Sequence, residues 1–287
     1  MKVVAVPPSL PSPRRPPSKR YPSDLTDAEW DVVASHVPEP VWFPNLQKPE
    51  HTAREMLNAI RYRTRTGVAW RLLPKDFPPW QTVARRYYAW RDSGVIDRVH
   101  DSLRERLRER MGRTTQPTAA ILDSQSVKST DVGGERGFDA GKKVKGRKRH
   151  LLVDVSGLLL VAHVTAASVQ DRDGAVDVLR EAHRAYPALE HVWVDAAYRG
   201  QAVDTVSEAT GIRVEVVKRT DDLAGFVVLP RRWVVERTNG WLGKFRILSK
   251  EYERTTESSR ADVLLAMSSV MLGRLGDVPR AREDRRL

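Results

Sequence analysis

Three acidic residues stand where this sequence could do chemistry. Asp123 closes the apolar run Ala119-Ala120-Ile121-Leu122, and Asp195 closes the run His191-Val192-Trp193-Val194. Both runs read as short strands, the first and fourth of their order. Those two strands can pair in parallel, which leaves their C-terminal ends on one edge of a sheet, so Asp123 and Asp195 are expected to meet. Glu236 comes from a helix. Arg232, Glu236, Asn239 and Gly243 fall at i, i+4, i+7 and i+11 as a polar, small-residue face, while Val234, Thr238, Trp241, Leu242 and Phe245 form the core-facing stripe. Docked on the sheet, such a helix turns Glu236 toward the two aspartates. Converging carboxylates repel unless a cation neutralises them, and hard oxygen ligands favour Mg²⁺, with Mn²⁺ as a substitute. Two ions roughly 3.5 to 4 Å apart activate a water or a 3′-hydroxyl on one side of a phosphorus and stabilise the leaving oxygen on the other. The chemistry indicated is phosphodiester hydrolysis or transesterification. Each residue also has an ordinary reading: an aspartate after a strand caps or turns, and Glu236 can pair with Arg232 one turn back. Asp154 ends a strand too, but an antiparallel one, which sends it to the opposite edge as a turn residue beside Ser156-Gly157.

The elements that must position these residues follow from periodicity and punctuation. Thr26 with Glu29, and Thr52 with Glu55, are capping boxes that open helices, the first through about residue 35 and the second closed by Gly67. A third helix is expected over 80–92, closed by Gly94, and a fourth carries Ile96, Val99, Leu103, Leu107 and Met111 on one stripe. After residues 112–117 the period becomes extended. Strands are expected over 119–123, 149–155, 158–165, 191–195 and 213–217, helices over 174–185 and 201–209, and a last helix holds Glu236. The order β-β-β-α-β-α-β-α is a mixed sheet with helices on its faces, so the fold class is α/β preceded by a smaller all-α unit. The expected divisions are a disordered basic, Pro-rich tail over 1–20, a helical unit over 21–115, a catalytic unit over 116–275 and a charged tail over 276–287.

With 49 Lys and Arg against 37 Asp and Glu, the 287-residue chain carries a formal charge of +12, which points to a polyanionic partner, nucleic acid first. No cysteine is present, which excludes disulfides, thiolate metal sites and cysteine nucleophiles. Apolar runs fall short of the ~20 residues that span a bilayer, and the N-terminus has no continuous apolar signal region, so a soluble, cytoplasmic protein is expected. Lys142, Lys143, Lys145, Arg147, Lys148 and Arg149 form a run without an acid, expected to lie against DNA phosphates. Lys128 and Arg199 are further candidates for phosphate contact, and Arg85, Arg86 and Tyr88 on the third helix are candidates for groove contact. A plain helical bundle with a solvated Arg face is the competing reading. His150 and His163 lie in alternating strand patterns without a ligand-spaced partner and are expected to be structural.

At these residues the sequence resembles the transposases of bacterial insertion sequences, specifically the DDE-type group named after Insertion Sequence Five. The resemblance spans residues 21–275. It is carried by Ile121-Leu-Asp-Ser-Gln-Ser-Val-Lys-Ser129, by the basic segment and second strand over 139–154, by Val194-Asp-Ala-Ala-Tyr-Arg-Gly200, and by Arg231-Arg-Trp-Val-Val-Glu-Arg-Thr-Asn-Gly-Trp-Leu242 with Tyr252-Glu-Arg254 beyond it. It implies an RNase H-like catalytic fold, two catalytic metal ions, and Asp123, Asp195 and Glu236 as their ligands. It implies that the helical part, opening with Tyr21-Pro-Ser-Asp-Leu-Thr-Asp-Ala-Glu-Trp30, helps bind the element's terminal inverted repeats, and that the protein cleaves DNA and joins the freed ends to target DNA. Arg232 matches an arginine of the wider signature. Leu229 stands at its tyrosine and Gly243 at its lysine, with Lys244 next door, and these departures bear on contacts to DNA ends. Holding two ends together calls for a homodimer or larger synaptic assembly, associated with the nucleoid when bound to DNA. A non-catalytic DNA-binding relic and a nuclease that only hydrolyses are the alternatives.

Overall fold

The computed structural model describes residues 20–39, 51–217 and 230–276, with side chains in the last stretch from Trp233 onward. The expected terminal tails lie outside the described residues except for Arg20 and Gly276, and so does Leu229.

Helix α1 (Asp27–Val33) and helix α2 (Ala53–Thr66) both open with the complete capping box, each Thr hydroxyl accepting from the Glu backbone N–H while the Glu carboxylate accepts from the Thr N–H. Gly67, at φ 71°, closes α2 in the left-handed conformation that glycine adopts without penalty. Helix α3 (Trp80–Asp92) buries Val83, Ala84, Tyr87 and Trp90, and helix α4 (Val95–Arg110) buries Ile96, Val99, Leu103 and Leu107.

Strand β1 (Ala119–Lys128) runs five residues past Asp123, a correction to the expected end at the carboxylate. Ser124, Gln125 and Ser126 hide the continuation because their polarity breaks the apolar run that marks a buried strand. The short strand β2 (Gly137–Asp139), not anticipated, pairs with the start of β3 (Val144–Asp154), which turns back through Ser156-Gly157 into β4 (Leu159–Ala166). Helix α5 (Asp171–Ala185) leads to β5 (His191–Val194), and helix α6 (Gln201–Thr210) leads to β6 (Arg213–Val216). The sheet order is β4-β3-β1-β5-β6, with β2 extending the β4 edge of β3. Antiparallel pairing joins β1 to β3 and β3 to β4, and parallel pairing joins β1 to β5 and β5 to β6. Without β2 this is three antiparallel strands followed by two parallel neighbours of the first, the RNase H-like arrangement.

Helix α7 (Pro230–Leu242) and helix α8 (Thr256–Gly276) complete the described chain. Burial on α8 is continuous from Ala261 to Ser268, so every side of the helix is covered. Such a helix has no amphipathic stripe to announce it, and for that reason it was not expected. It ties the helical segment to the sheet. One hydrophobic core takes in Val33, Ile60, Tyr87 and Leu103 from α1 to α4, Val235 and Leu242 from α7, Met267 from α8, and Ile121, Leu151 and Val153 from one sheet face. The opposite face packs Leu122, Leu152 and Val192 against Val178, Leu179 and Val206 of α5 and α6. Residues on both sides of the expected division near residue 116 thus contribute to one core. Buried ion pairs cross it as well: Arg63 of α2 with Asp262 of α8 at 3.1 Å, and Arg108 of α4 with the fully buried Asp154. Asp154 also accepts from the Ser156 and Leu158 N–H groups at 2.8 and 2.9 Å, so it is a turn residue as expected. Among the described residues no helix is long and apolar enough to cross a membrane.

Candidate active site

The parallel register decides where the two aspartates stand. Ala119, Ala120 and Ile121 are paired with His191, Val192 and Trp193, and the same offset continued along the strands sets Asp123 level with Asp195. Alternation along a strand gives both the face of Ile121 and Trp193, the one on which α7 packs. Asp123, Asp195, Ile121, Trp193, Val217 and Val235 of α7 line a common hollow there. Asp195 begins a 3-10 turn over Ala196–Tyr198 and accepts from the Ala197 N–H through Oδ1 at 2.9 Å, so the cap engages one carboxylate oxygen and fixes the side chain. Beneath them Tyr198 is buried. Burial first, then the negative charge of Asp123, Asp171 and Asp195, holds its hydroxyl well above the ordinary tyrosine range, so it stays protonated. Tyr198 lies in the Val194–Gly200 motif, three residues beyond Asp195.

Helix α7 is pinned at its far side. Thr238 Oγ1 donates to the Gly157 carbonyl at 2.8 Å, and Arg237 donates to the Ser156 carbonyl at 2.9 Å while its guanidinium lies 4.9 Å from the Trp241 ring centroid. Gly157 sits at φ 80°, and a Cβ there would come within 2.8 Å of Thr238 Oγ1, so the hairpin turn and the helix fit only with glycine. Val235, Thr238, Leu242 and Phe245 are buried, whereas Val234 and Trp241 are only half-buried. The core stripe is thus turned by one residue from the expected one, and Val235, next to Glu236, meets the aspartate hollow. Glu236 itself is exposed. The structure brings Asp123 and Asp195 together and carries Glu236 on the helix above them. Among the described residues no three acidic or histidine side chains are gathered closely enough to hold one ion. The donor set, carboxylate oxygens alone, suits a hard divalent cation.

The basic run is divided by the structure, which corrects the expectation that all six residues face phosphate. Arg147, 1 % exposed, donates to the carbonyls of Glu135, Glu253, Arg254 and Thr255. Arg149 is buried against Glu251 and donates to the Leu248 carbonyl at 2.9 Å. Lys148 is buried between Asp171 at 2.7 Å and Asp139 at 3.5 Å. Burial alone would raise the Asp139 carboxyl, but the Ser126 hydroxyl, the Lys142 N–H and Lys148 hold it at about 2. These three cations hold the sheet to its surroundings because β3 begins at Val144, earlier than expected, and takes them into its ladder. Lys142, Lys143 and Lys145 remain exposed, as do Lys128, Arg199 and Lys244. Lys142 reaches back to Ser124, donating to its carbonyl at 3.0 Å. On α3, Arg85 is exposed, Arg86 lies 5.9 Å from the Trp90 ring centroid, and Tyr88 packs edge-on against Tyr87 at 5.3 Å. The Arg232 side chain lies outside the described residues. His150 is buried and held down at about 4 by burial, and His163 pairs with Glu181 at 2.5 Å.

Residues 114–271, more than half of the chain, match the family described as "Transposase DDE domain", and residues 25–100 match the one described as "Putative transposase of IS4/5 family". Over 125 residues the chain is 30% identical to a "Putative transposase for insertion sequence element IS402" of Burkholderia cepacia, covering 41% of this chain and 56% of the relative. An "Uncharacterized protein y4sN" of Sinorhizobium fredii is 32% identical over 75 residues, covering 26% of this chain and 58% of the relative. The chain therefore spans less than two thirds of the length of either curated relative. Among solved structures, the catalytic core domain of BIV integrase is similar at a TM-score of 0.36 with 15% identity, over 53% of this chain and 82% of the other. A simian T-cell lymphotropic virus intasome in complex with the PP2A regulatory subunit B56 gamma is similar at 0.37 with 17% identity, over 52% and 48%.

Proposed function

We propose, from the premise that this chain belongs to the family of transposase DDE domains, that it cuts DNA at the ends of its own insertion sequence and joins the freed 3′-hydroxyls to target DNA. The observation that carries the proposal is that Asp123 on β1 and Asp195 just past the end of its parallel neighbour β5 line one hollow, closed by the helix that bears Glu236. These three carboxylates would hold the divalent metal that the family implies, two Mg²⁺ ions with Mn²⁺ as a substitute. When bound, the metal supplies Lewis-acid activation of the attacking hydroxyl and stabilises the leaving oxygen. The chain does the positioning. The Ala197 N–H fixes the Asp195 carboxylate, and the Gly157–Thr238 contact sets the height of α7 over the sheet. The exposed Lys128, Lys142, Lys143, Lys145, Arg199 and Lys244 hold the DNA backbone beside the carboxylates, with Arg232 as the residue that matches the family's arginine. The helical part, residues 21–115, holds the terminal repeats, with Arg85, Arg86 and Tyr88 toward the groove. A dimer or larger assembly brings two ends together, in the cytoplasm on the nucleoid.

One observation favours the second reading, a non-catalytic DNA binder: Glu236 is exposed and not gathered with the aspartates. One assay separates the readings. Incubated with DNA carrying the element's native flanks, the protein is expected to give joined products with Mg²⁺ or Mn²⁺ and none in chelator. Nicks without joining indicate a nuclease, and binding without either product indicates the relic.

A further inference from the structure

Beyond the carboxylates, the same strand leads to a second feature. Gln125 and Val127 follow Asp123 on one face of β1, and with Lys128, Gly243, Ser249 and Lys250 they line a hollow of about 300 Å³. Lys128 also belongs to the next hollow, of about 340 Å³, lined by Lys128, Ser129, Arg136, Phe138, Lys143 and Lys145. That lining holds four cations, no acid, and one aromatic ring. Phe138 is 56 % exposed on strand β2, directly opposite Lys145 in the ladder, so the pair shares a face. Five strand residues separate Lys128 from Asp123, roughly 16 Å at the rise of a strand and about five nucleotide steps along one strand of a duplex.

A single exposed phenylalanine is ordinary on a protein surface; what sets Phe138 apart is its place among four cations. Four cations with no acid among them repel a basic partner and draw phosphates. An exposed aromatic among phosphate-binding cations is the arrangement that holds unpaired nucleotides, the ring stacking on a base while the cations follow the backbone. The hollow is also of the size that takes a small planar group. One further sign comes from the turn between β2 and β3: among the described residues Lys143 alone is a non-glycine residue at positive φ, 55°. That backbone conformation is uncommon for a residue other than glycine and fixes the direction in which Lys143 leaves the turn.

We infer that the β2–β3 hairpin is a binding site for an unpaired nucleotide of the DNA strand engaged by the catalytic face, with Phe138 stacking on the base and Lys128, Arg136, Lys143 and Lys145 holding its phosphates. This rests on the reading of the protein as a DNA-processing enzyme, but not on its catalysing strand transfer.

The test is binding by the full chain in chelator, so that catalysis does not enter. The probes are a 15-nucleotide single-stranded oligonucleotide carrying 2-aminopurine and the fully paired duplex of the same sequence. Phe138→Ala and Phe138→Leu are expected to weaken single-strand binding roughly five-fold or more, the lower end of what one base–aromatic stack contributes, to leave duplex binding within about two-fold, and to lose the 2-aminopurine quenching. Phe138→Trp is expected to retain all three. Lys143→Ala and Lys145→Ala are expected to weaken both probes and flatten the salt dependence. An unchanged single-strand affinity in both Phe138 variants, or an equal loss on the two probes, overturns the inference. Absence of strand transfer with the Phe138 effect intact would count against strand transfer alone and leave this inference standing.

Discussion

Asp123→Asn, Asp195→Asn and Glu236→Gln should each lower strand transfer by about 10³-fold or more while leaving the affinity for element ends within about two-fold. The magnitude follows from the several kcal/mol that a carboxylate-held cation contributes to a phosphoryl transition state, with each 1.36 kcal/mol worth a factor of ten. The amides are the informative substitutions. At Asp195 an asparagine keeps the side-chain oxygen that accepts from the Ala197 N–H, so the 3-10 turn survives, whereas alanine would also remove a cap worth about 1 kcal/mol. At Asp123 the half-buried side chain keeps its shape. Glu236 is exposed, so its substitution should change folding least of the three. Quantified strand-transfer products, alongside anisotropy with the same DNA, check the expectation. Activity within ten-fold of wild type for any one of the three removes that residue from the site.

Glu251→Gln should lower stability by about 3–5 kcal/mol, the usual cost of leaving buried charges without their partner. Glu251 is 3% exposed and lies against Arg149, with Arg147 at 3.6 Å. Both guanidiniums also donate to carbonyls of residues 248–255, so the substitution loosens the segment that joins α7 to α8. At roughly 2–4 °C per kcal/mol for a chain of this size class, the melting temperature should fall by about 10 °C. The measurement also decides between two roles for the arginines. As structural cations, Arg149→Met lowers the melting temperature with little change in the salt dependence of DNA binding. As phosphate contacts, it would flatten that salt dependence and leave the melting temperature where it was.

The placement of the two aspartates was legible because strand order constrains it strongly. Asp123 and Asp195 were expected at one sheet edge because parallel strands joined by a crossover end on the same side, and the register sets them level. The capping boxes at Thr26 and Thr52 placed α1 and α2 because their hydrogen bonds are local. Long-range facts were not legible. That Arg147, Lys148 and Arg149 are buried depends on Glu251 and Asp171 arriving from elsewhere in the chain, and a run of like charges looks the same whether solvated or paired. Helix α8 is covered all round and so carries no stripe in the sequence, which leaves the core shared by helical segment and sheet equally unmarked. The one-residue turn of α7, which buries Val235 and half-exposes Val234, is set by the Thr238–Gly157 contact across 81 residues. No periodicity encodes a contact of that kind. Phe138, a single aromatic in a polar stretch, has no pattern of its own and becomes conspicuous only once its cationic neighbours are in place.

The most direct test of the central claim, that Asp123, Asp195 and Glu236 form one metal site, is to let a metal mark its own ligands. With Fe²⁺ in place of Mg²⁺, ascorbate and peroxide generate radicals at the bound ion that cut the nearest backbone, and the fragments are read by mass spectrometry. The expected result is three zones of cleavage, around residues 123, 195 and 236, all suppressed by excess Mg²⁺ and lost in Asp195→Asn. Cleavage at the two strands with none on α7, or cleavage that persists in Asp195→Asn, contradicts the claim.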